Sequence, residues 1–487
     1  TPIKSSAASD VYKRQIMKTS IFFNTLLIAS SLSISQAQTT NSPIVDEDGI
    51  LNIVDKPFDV NRFVIGRDFH ENKFSDQNKG LQGMADCYFN MSDASDGTKQ
   101  NFKLCKKLGL NTVVSAEGRH LTGKDWMAMS DEDIDAYVKK MIEDGGKSDA
   151  IVGYHICDEP SSLAFPKLAK AVEAVRKYAP GKMATINLYP NYATLWTLDQ
   201  VKSQLGTRTY KEYLEQAATV IKPDMISYDN YMIQYSMDQS DPKRTAQYYS
   251  NILDVREVSL KYGIPWWNVA SGNQIRHYTV IPTMANLLLQ AYTSLAVGAG
   301  GIRWFTYWKG GYGYTPIDGE GRKTQTWHYL REVNRQLSIL GPIMKTLKST
   351  GVYFTNDFAG KDVPQLPGEH VKSIKCDEPL MVGEFLSKKG NRYIMIVNLS
   401  LERSARFIVN TAINDERLFV VNTGEQKPYF EEINNIKLKS TSMLGGSKEQ
   451  LDMAKERAYW LPAGGGVLIK CSGQTPVSYT HLTLPTT

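Results

Sequence analysis

Charge of one sign, paired cysteines and uninterrupted apolar sequence are all scarce in this 487-residue chain. Its 56 Lys and Arg nearly balance its 51 Asp and Glu, leaving a formal net charge of +5. No basic cluster with interleaved aromatics stands out, which argues against nucleic acid as a partner. The five cysteines, Cys87, Cys105, Cys157, Cys376 and Cys471, are odd in number and widely spaced, so they give no disulfide framework. Cys87 and Cys105 sit in apolar contexts and read as packed thiols, while Cys376 with Cys471 is a candidate bridge. No CxxC or HxxxH spacing points to a metal, and Gly66-Arg67-Asp68 is not a dinucleotide-phosphate fingerprint, so no cofactor is expected. The apolar run Ile21 to Ile34 is too short and too serine-rich to span a bilayer.

That run has another reading. Met17-Lys18 opens a short positive segment, the apolar stretch follows, and Ser35-Gln36-Ala37 supplies a small-x-small cleavage site. Together they read as a secretory signal peptide over residues 17–37, cut after Ala37, which predicts a secreted or periplasmic protein with no membrane span in the mature chain. Residues 1–16 and 474–487 read as non-native flanking segments, and 38–60 as an N-terminal linker.

From Asn61 a repeating alternation sets in of short apolar strand, polar turn and helix-period stretch. The expected strands are Arg62–Gly66, Cys87–Asn90, Asn111–Ser115, Ile151–Glu159, Met183–Leu188, Met225–Tyr228, Pro265–Ala270 and Ile302–Trp308. Helices are expected over Asp96–Lys107, after Ser130, and over Leu163–Tyr178, Thr209–Ile221, Pro242–Tyr262, Thr283–Val297 and Gln325–Leu340. Strands alternating with helices call for a parallel sheet, because each crossover must return to the same edge. Eight such units over residues 61–342 predict an α/β fold, a (β/α)8 TIM barrel, whose site lies at the C-terminal ends of its strands.

After Pro342 the pattern changes to short strands broken by Gly, Asn and Lys, among them Met381–Leu386, Arg392–Asn398 and Val467–Ile469. Residues 343–473 therefore read as a C-terminal antiparallel β-sandwich, with Lys439–Glu456 as an inserted loop. Nothing in it resembles an exposed aromatic platform, so its expected role is packing against the barrel.

The polar residues gather at the strand ends. The fourth strand, Ile151-Val152-Gly153-Tyr154-His155-Ile156-Cys157, finishes in Asp158-Glu159-Pro160. Carboxylates are costly to bury without partners, so both belong at the strand mouth. Glu159 is the leading candidate for a general acid: Asp158 beside it is a like charge, and a close like charge raises a carboxyl's pKa. Strand alternation would put the two on opposite faces. Asp229, ending the sixth strand, is the first candidate for a base, and Glu117, ending the third, the second. Asp158, Asn187, Tyr189, Tyr231, Trp267, Tyr307 and Trp308 are the candidate substrate contacts. Trp266-Trp267 should split, one inward and one into the helix layer, and His155 reads as a hydrogen-bonded core histidine. A protonated carboxyl that serves the leaving oxygen, a second carboxylate and flanking aromatics suit glycosidic cleavage of a carbohydrate.

On these residues the chain resembles the clan A glycoside hydrolases, in the neighbourhood of the family 42 β-galactosidases. Ile151 to Pro160 is similar to the clan's strand-four motif, which implies that Glu159 is the acid/base. Gly301 to Trp308 is similar to its strand-eight ending, where an aromatic floors the sugar subsite, which implies that role for Trp308. Two departures stand out. Asp158 replaces the clan's Asn, and the seventh strand ends Asn268-Val269-Ala270-Ser271-Gly272, with no carboxylate where the clan keeps its nucleophile. The expectation is an exported glycoside hydrolase acting on an oligo- or polysaccharide. The other reading is a carbohydrate-binding protein on a barrel that has lost catalysis.

Overall fold

The computed structural model describes residues 63–67, 80–94, 102–116, 120–194, 204–236, 238–241, 243–308, 311–433 and 457–472. The expected signal peptide, Glu117 and the loop Lys439–Glu456 lie outside them.

Eight parallel strands close into a barrel in sequence order: β1 (Val64–Arg67), β2 (Met91–Ala94), β3 (Asn111–Val114), β4 (Ile151–Asp158), β5 (Met183–Leu188), β6 (Ile226–Asp229), β7 (Trp266–Ser271) and β8 (Gly301–Phe305). Closure is made by β1 on β8, with Val64 opposite Gly301. The helices between them are α1 (Gly80–Asp86), α2 (Phe102–Leu108), α3 (Gly123–Ala128), α4 (Asp131–Gly145), α5 (Phe165–Tyr178), α6 (Tyr210–Gln216), α7 (Ala246–Tyr262), α8 (Met284–Ala296) and α9 (Gln325–Met344). Local chemistry sets several of their starts. Thr122 with Asp125, Ser130 with Asp133, and Thr209 with Glu212 each form a reciprocal capping box that satisfies orphan backbone donors. Three acidic residues in the first turn of α4 complement its dipole.

Several elements depart from the sequence expectation. The second strand lies at Met91–Ala94, not Cys87–Asn90. Cys87 and Tyr88 instead close α1, with Cys87 N–H donating to the Met84 carbonyl at 3.0 Å and Tyr88 at φ +60°. Asn90 then ties β1 by its side chain, accepting from Ile65 N–H and donating to the Phe63 carbonyl, both at 2.9 Å. The eighth strand stops at Phe305 rather than running to Trp308. The last barrel helix continues to Met344, with Pro342 inside its final turn.

Among the described residues beyond α9 are nine antiparallel strands: β9 (Leu347–Phe354), β10 (Val371–Lys375), β11 (Leu380–Ser387), β12 (Arg392–Asn398), β13 (Ala405–Thr411), β14 (Arg417–Asn422), β15 (Tyr429–Glu432), β16 (Tyr459–Leu461) and β17 (Gly466–Ser472). They form a six-stranded sheet, β15-β14-β17-β12-β11-β9, and a three-stranded one, β10-β13-β16. Val371, Ala405, Phe407 and Leu461 from the smaller sheet pack with Val382, Ile394, Val420 and Ile469 from the larger in one core, as a β-sandwich requires. The candidate bridge between Cys376 and Cys471 is not formed: Cys471 lies buried in that core, Cys376 half-buried at its edge, and all five cysteines are free.

Helix α8 joins the two parts. From Asn286 to Ala296 every residue is buried, the signature of a helix covered all round. It packs on β7 and β8 on one side and on β11, β12 and β17 on the other. Gly383 makes the approach feasible, since a Cβ there would collide with the Ala296 carbonyl. No helix among the described residues is long and apolar enough to cross a membrane.

Candidate functional site

Strand β4 carries two register shifts, one against β3 between Thr112 and Val113 and one against β5 between His155 and Cys157. Each leaves an extra residue on β4 and resets which side chains face inward, the usual effect of a bulge. The strand end is then fixed from several sides. Trp126 Nε1 donates to the Ile156 carbonyl at 3.2 Å, Glu159 N–H donates to the Asn187 carbonyl at 2.8 Å, and the Tyr213 hydroxyl donates to the Pro160 carbonyl at 2.7 Å. Between these anchors Glu159 takes φ +43°, a left-handed conformation that costs a residue with a Cβ about 1–3 kcal/mol. Simple alternation therefore does not relate Asp158 to Glu159. Asp158 is the last strand residue and is exposed, whereas Glu159 is half-buried just past it, redirected by its backbone.

Asp158 and Asp229 are linked through Asn187. The Asn187 Nδ2 donates to Asp158 Oδ1 at 3.1 Å and to Asp229 Oδ1 at 2.9 Å, and its Oδ1 accepts from the Ser227 hydroxyl at 2.8 Å. The ends of β4, β5 and β6 thus form one hydrogen-bonded group, with Asp229 only 4% exposed. Two tyrosines report the same convergence. Burial, then the charges of Glu159 and Asp158, push the Tyr189 phenol up to about 12, with Asp229 adding to the effect. Burial, then Asp229 and Glu159, push Tyr192 well above its ordinary value. Tyr192 was not anticipated from the sequence, although it lies in the Tyr189-Pro190-Asn191-Tyr192 stretch just beyond β5.

Aromatic residues line the opposite arc. Phe305, the last residue of β8, packs against Tyr231 with ring centroids 5.2 Å apart and meets Tyr312 edge-on at 5.2 Å. Tyr231 and Tyr312 are half-buried. The expected aromatic was Trp308, which is half-buried three residues past the strand end. Alternation from Arg303 would have singled out Phe305, had the strand end been placed correctly. Two other expected contacts sit elsewhere. Trp267 is 0% exposed, inside the barrel with Val64, Met91, Val113 and Val152, and the Arg303 guanidinium lies 5.3 Å from its ring. Trp266 faces Tyr228 instead, so the pair does split. Tyr307 is buried at the rim, where its hydroxyl accepts from Trp327 Nε1 at 3.3 Å and its ring meets Phe89 edge-on. Both side chains are buried.

His155 opens partly to the barrel interior but sits deep within it. Desolvation, then the Arg303 and His120 charges, push its pKa down to about 3, so the imidazole is neutral above that pH. The end of β7 is tied off by neutral amides. Gln234 Nε2 donates to Ser271 Oγ at 2.6 Å, Ser271 N–H donates to Gln290 Oε1 at 2.8 Å, and Gln290 Nε2 donates to the Ser271 carbonyl at 3.1 Å. Glu117 lies outside the described residues.

The arrangement offers proton-transfer groups on β4 and β6, a fixed amide between them, and an aromatic wall across the mouth. No family model and no curated protein matches the chain. Among solved structures, a catalytic mutant of a family 42 β-galactosidase from G. stearothermophilus superposes with a TM-score of 0.52 at 8% identity, over 85% of this chain and 98% of that one. A family 5 glycoside hydrolase from Bacteroides vulgatus gives 0.49 at 12% identity, over 87% and 92%. The chain shares with the family 42 structure its fold, a (β/α)8 barrel followed by a β-sandwich.

Proposed function

We propose that the protein is an exported glycoside hydrolase that cleaves O-glycosidic bonds of an oligo- or polysaccharide. Glu159 protonates the leaving oxygen. Asp229 is the second carboxylate and activates the attacking water, with Glu117 as the other candidate for that role. Asp158, Asn187, Tyr189 and Tyr231 contact the sugar, and Trp308 flanks it. Export is directed by residues 17–37, so the mature chain begins at Gln38.

The carrying observation is the Asp158–Asn187–Asp229 bridge beside Glu159. The shared amide fixes the Asp229 carboxylate in place at the barrel mouth. One nitrogen, 3.1 Å from Asp158 and 2.9 Å from Asp229, thus ties the ends of β4 and β6 together beside Glu159.

A second reading is favoured by one observation. The end of β7, closed by Gln234 and Gln290, supports a carbohydrate-binding barrel without catalysis. A panel of aryl glycosides, galactosides included, and oligosaccharides separates the two. Turnover of the oligosaccharides that Glu159→Gln removes supports the hydrolase. Equal binding without turnover in both forms supports the binding protein.

A further inference from the structure

The β-sandwich holds a group of side chains that the barrel chemistry does not use. His370 precedes β10, Glu416 precedes β14, and Cys471 lies on β17. They are 5%, 5% and 4% exposed. One donor atom from each, a ring nitrogen, a carboxylate oxygen and a sulfur, lies within 4.8 Å of the other two.

Their backbones are held independently. His370 N–H donates to Glu384 Oε1 at 3.0 Å, and its carbonyl accepts from Ala412 N–H at 2.8 Å. The Glu416 carbonyl accepts from Arg457 Nη2 at 2.6 Å. Cys471 pairs in register with Leu418 on β14 and Arg392 on β12. Each donor is thus aimed by a sheet position rather than by the other two.

His370 Nε2 and Glu416 Oε2 are buried 2.9 Å apart as an ion pair whose geometry falls short of a hydrogen bond. Beyond each other neither atom has a hydrogen-bond partner among the described residues, and Cys471 Sγ lies within 4.8 Å of both groups.

We propose that His370, Glu416 and Cys471 bind a divalent zinc-class cation that clamps the two sheets of the sandwich. The donor chemistry selects the ion. Thiolate and imidazole disfavour the hard cations calcium and magnesium, which take oxygen ligands. One nitrogen, one oxygen and one sulfur suit zinc, whose bonds of about 2.0–2.3 Å place its ligand atoms roughly 3–4 Å from one another. The fourth position falls to solvent or to the second carboxylate oxygen. Binding gives ligand bonds to two buried polar atoms that otherwise have only each other. No motif spacing in the sequence marks the site, because its ligands come from three distant stretches that only the sandwich brings together.

The test uses the full chain, stripped with chelator and reloaded with cobalt(II) or zinc(II) alone. One equivalent of cobalt is expected to bind, with a near-ultraviolet thiolate-to-cobalt charge-transfer band, and zinc is expected to raise Tm by several degrees. Cys471→Ser and His370→Gln should each lose the band and the Tm shift, while Cys376→Ser keeps both. If the site variants do not fold, the native chain still decides. Absence of the band, or a band that follows Cys376 instead, overturns the proposal.

Discussion

Asn187 donates its side-chain nitrogen to Asp229 at 2.9 Å, and the same nitrogen reaches Asp158 at 3.1 Å. One amide thus holds carboxylates from β4 and β6 in a common arrangement. Asn187→Ala removes a donor from a buried carboxylate, a change worth about 1–3 kcal/mol of stability. It also frees Asp229 from its fixed position, so kcat/KM should fall about 10²-fold. An unchanged kcat/KM would show that Asn187 does not act on the reaction through Asp229.

Glu159, the proposed acid, has a left-handed backbone, φ +43°. Glycine adopts that conformation without a Cβ penalty. Glu159→Gly and Glu159→Gln should both lose oligosaccharide cleavage, but Glu159→Gly should be the more stable of the two by about 1 kcal/mol. Urea unfolding of the two variants measures the difference.

His155 predicts a pH dependence of stability. Its pKa is held at about 3 in the folded state, by burial first and then by Arg303 and His120, against 6.5 unfolded. The unfolded chain therefore binds the extra proton between these values. The contribution is complete above pH 6.5 and is lost progressively as pH falls toward 3. At pH 4.5 the loss amounts to about 2–3 kcal/mol. His155→Gln should flatten this part of the profile in denaturant titrations at pH 4.5 and 7.

The aromatic residues divide by role. Trp267, fully buried inside the barrel, should cost about 3–5 kcal/mol of stability when changed to Ala. Tyr231, half-buried beside Phe305, should instead raise KM about five- to thirtyfold when changed to Ala, with little change in Tm. Thermal melts and saturation kinetics on the two variants test the division.

The barrel was legible because its alternation of apolar strands and amphipathic helices is a local pattern. Strands β3, β5 and β7 were placed to within a residue or so. The misplaced β2 shows where that pattern stops helping. Cys87 to Phe89 is an apolar run, but it is buried as the closing turn of α1, and periodicity cannot tell a buried turn from a buried strand over so few residues. Strand β9 was missed because Lys348, Ser349 and Thr350 mask its alternation. At the site, sequence position alone marked Glu159, Asp158, Asn187 and Asp229. It could not give the Asn187 bridge, which depends on the register shifts in β4. Nor could it show that Trp267 and Tyr307 are packed away, since burial at a strand end is decided by neighbours from distant parts of the chain.

The most direct measurement of the central claim varies the leaving group. Native protein and Glu159→Gln are compared on a 2,4-dinitrophenyl glycoside, which departs without protonation, and on the matching oligosaccharide, which does not. If Glu159 is the general acid, the variant should keep most of its rate on the activated substrate and lose about 10²- to 10⁴-fold on the oligosaccharide. An equal loss on both substrates, or a native protein that turns over neither, would contradict the account.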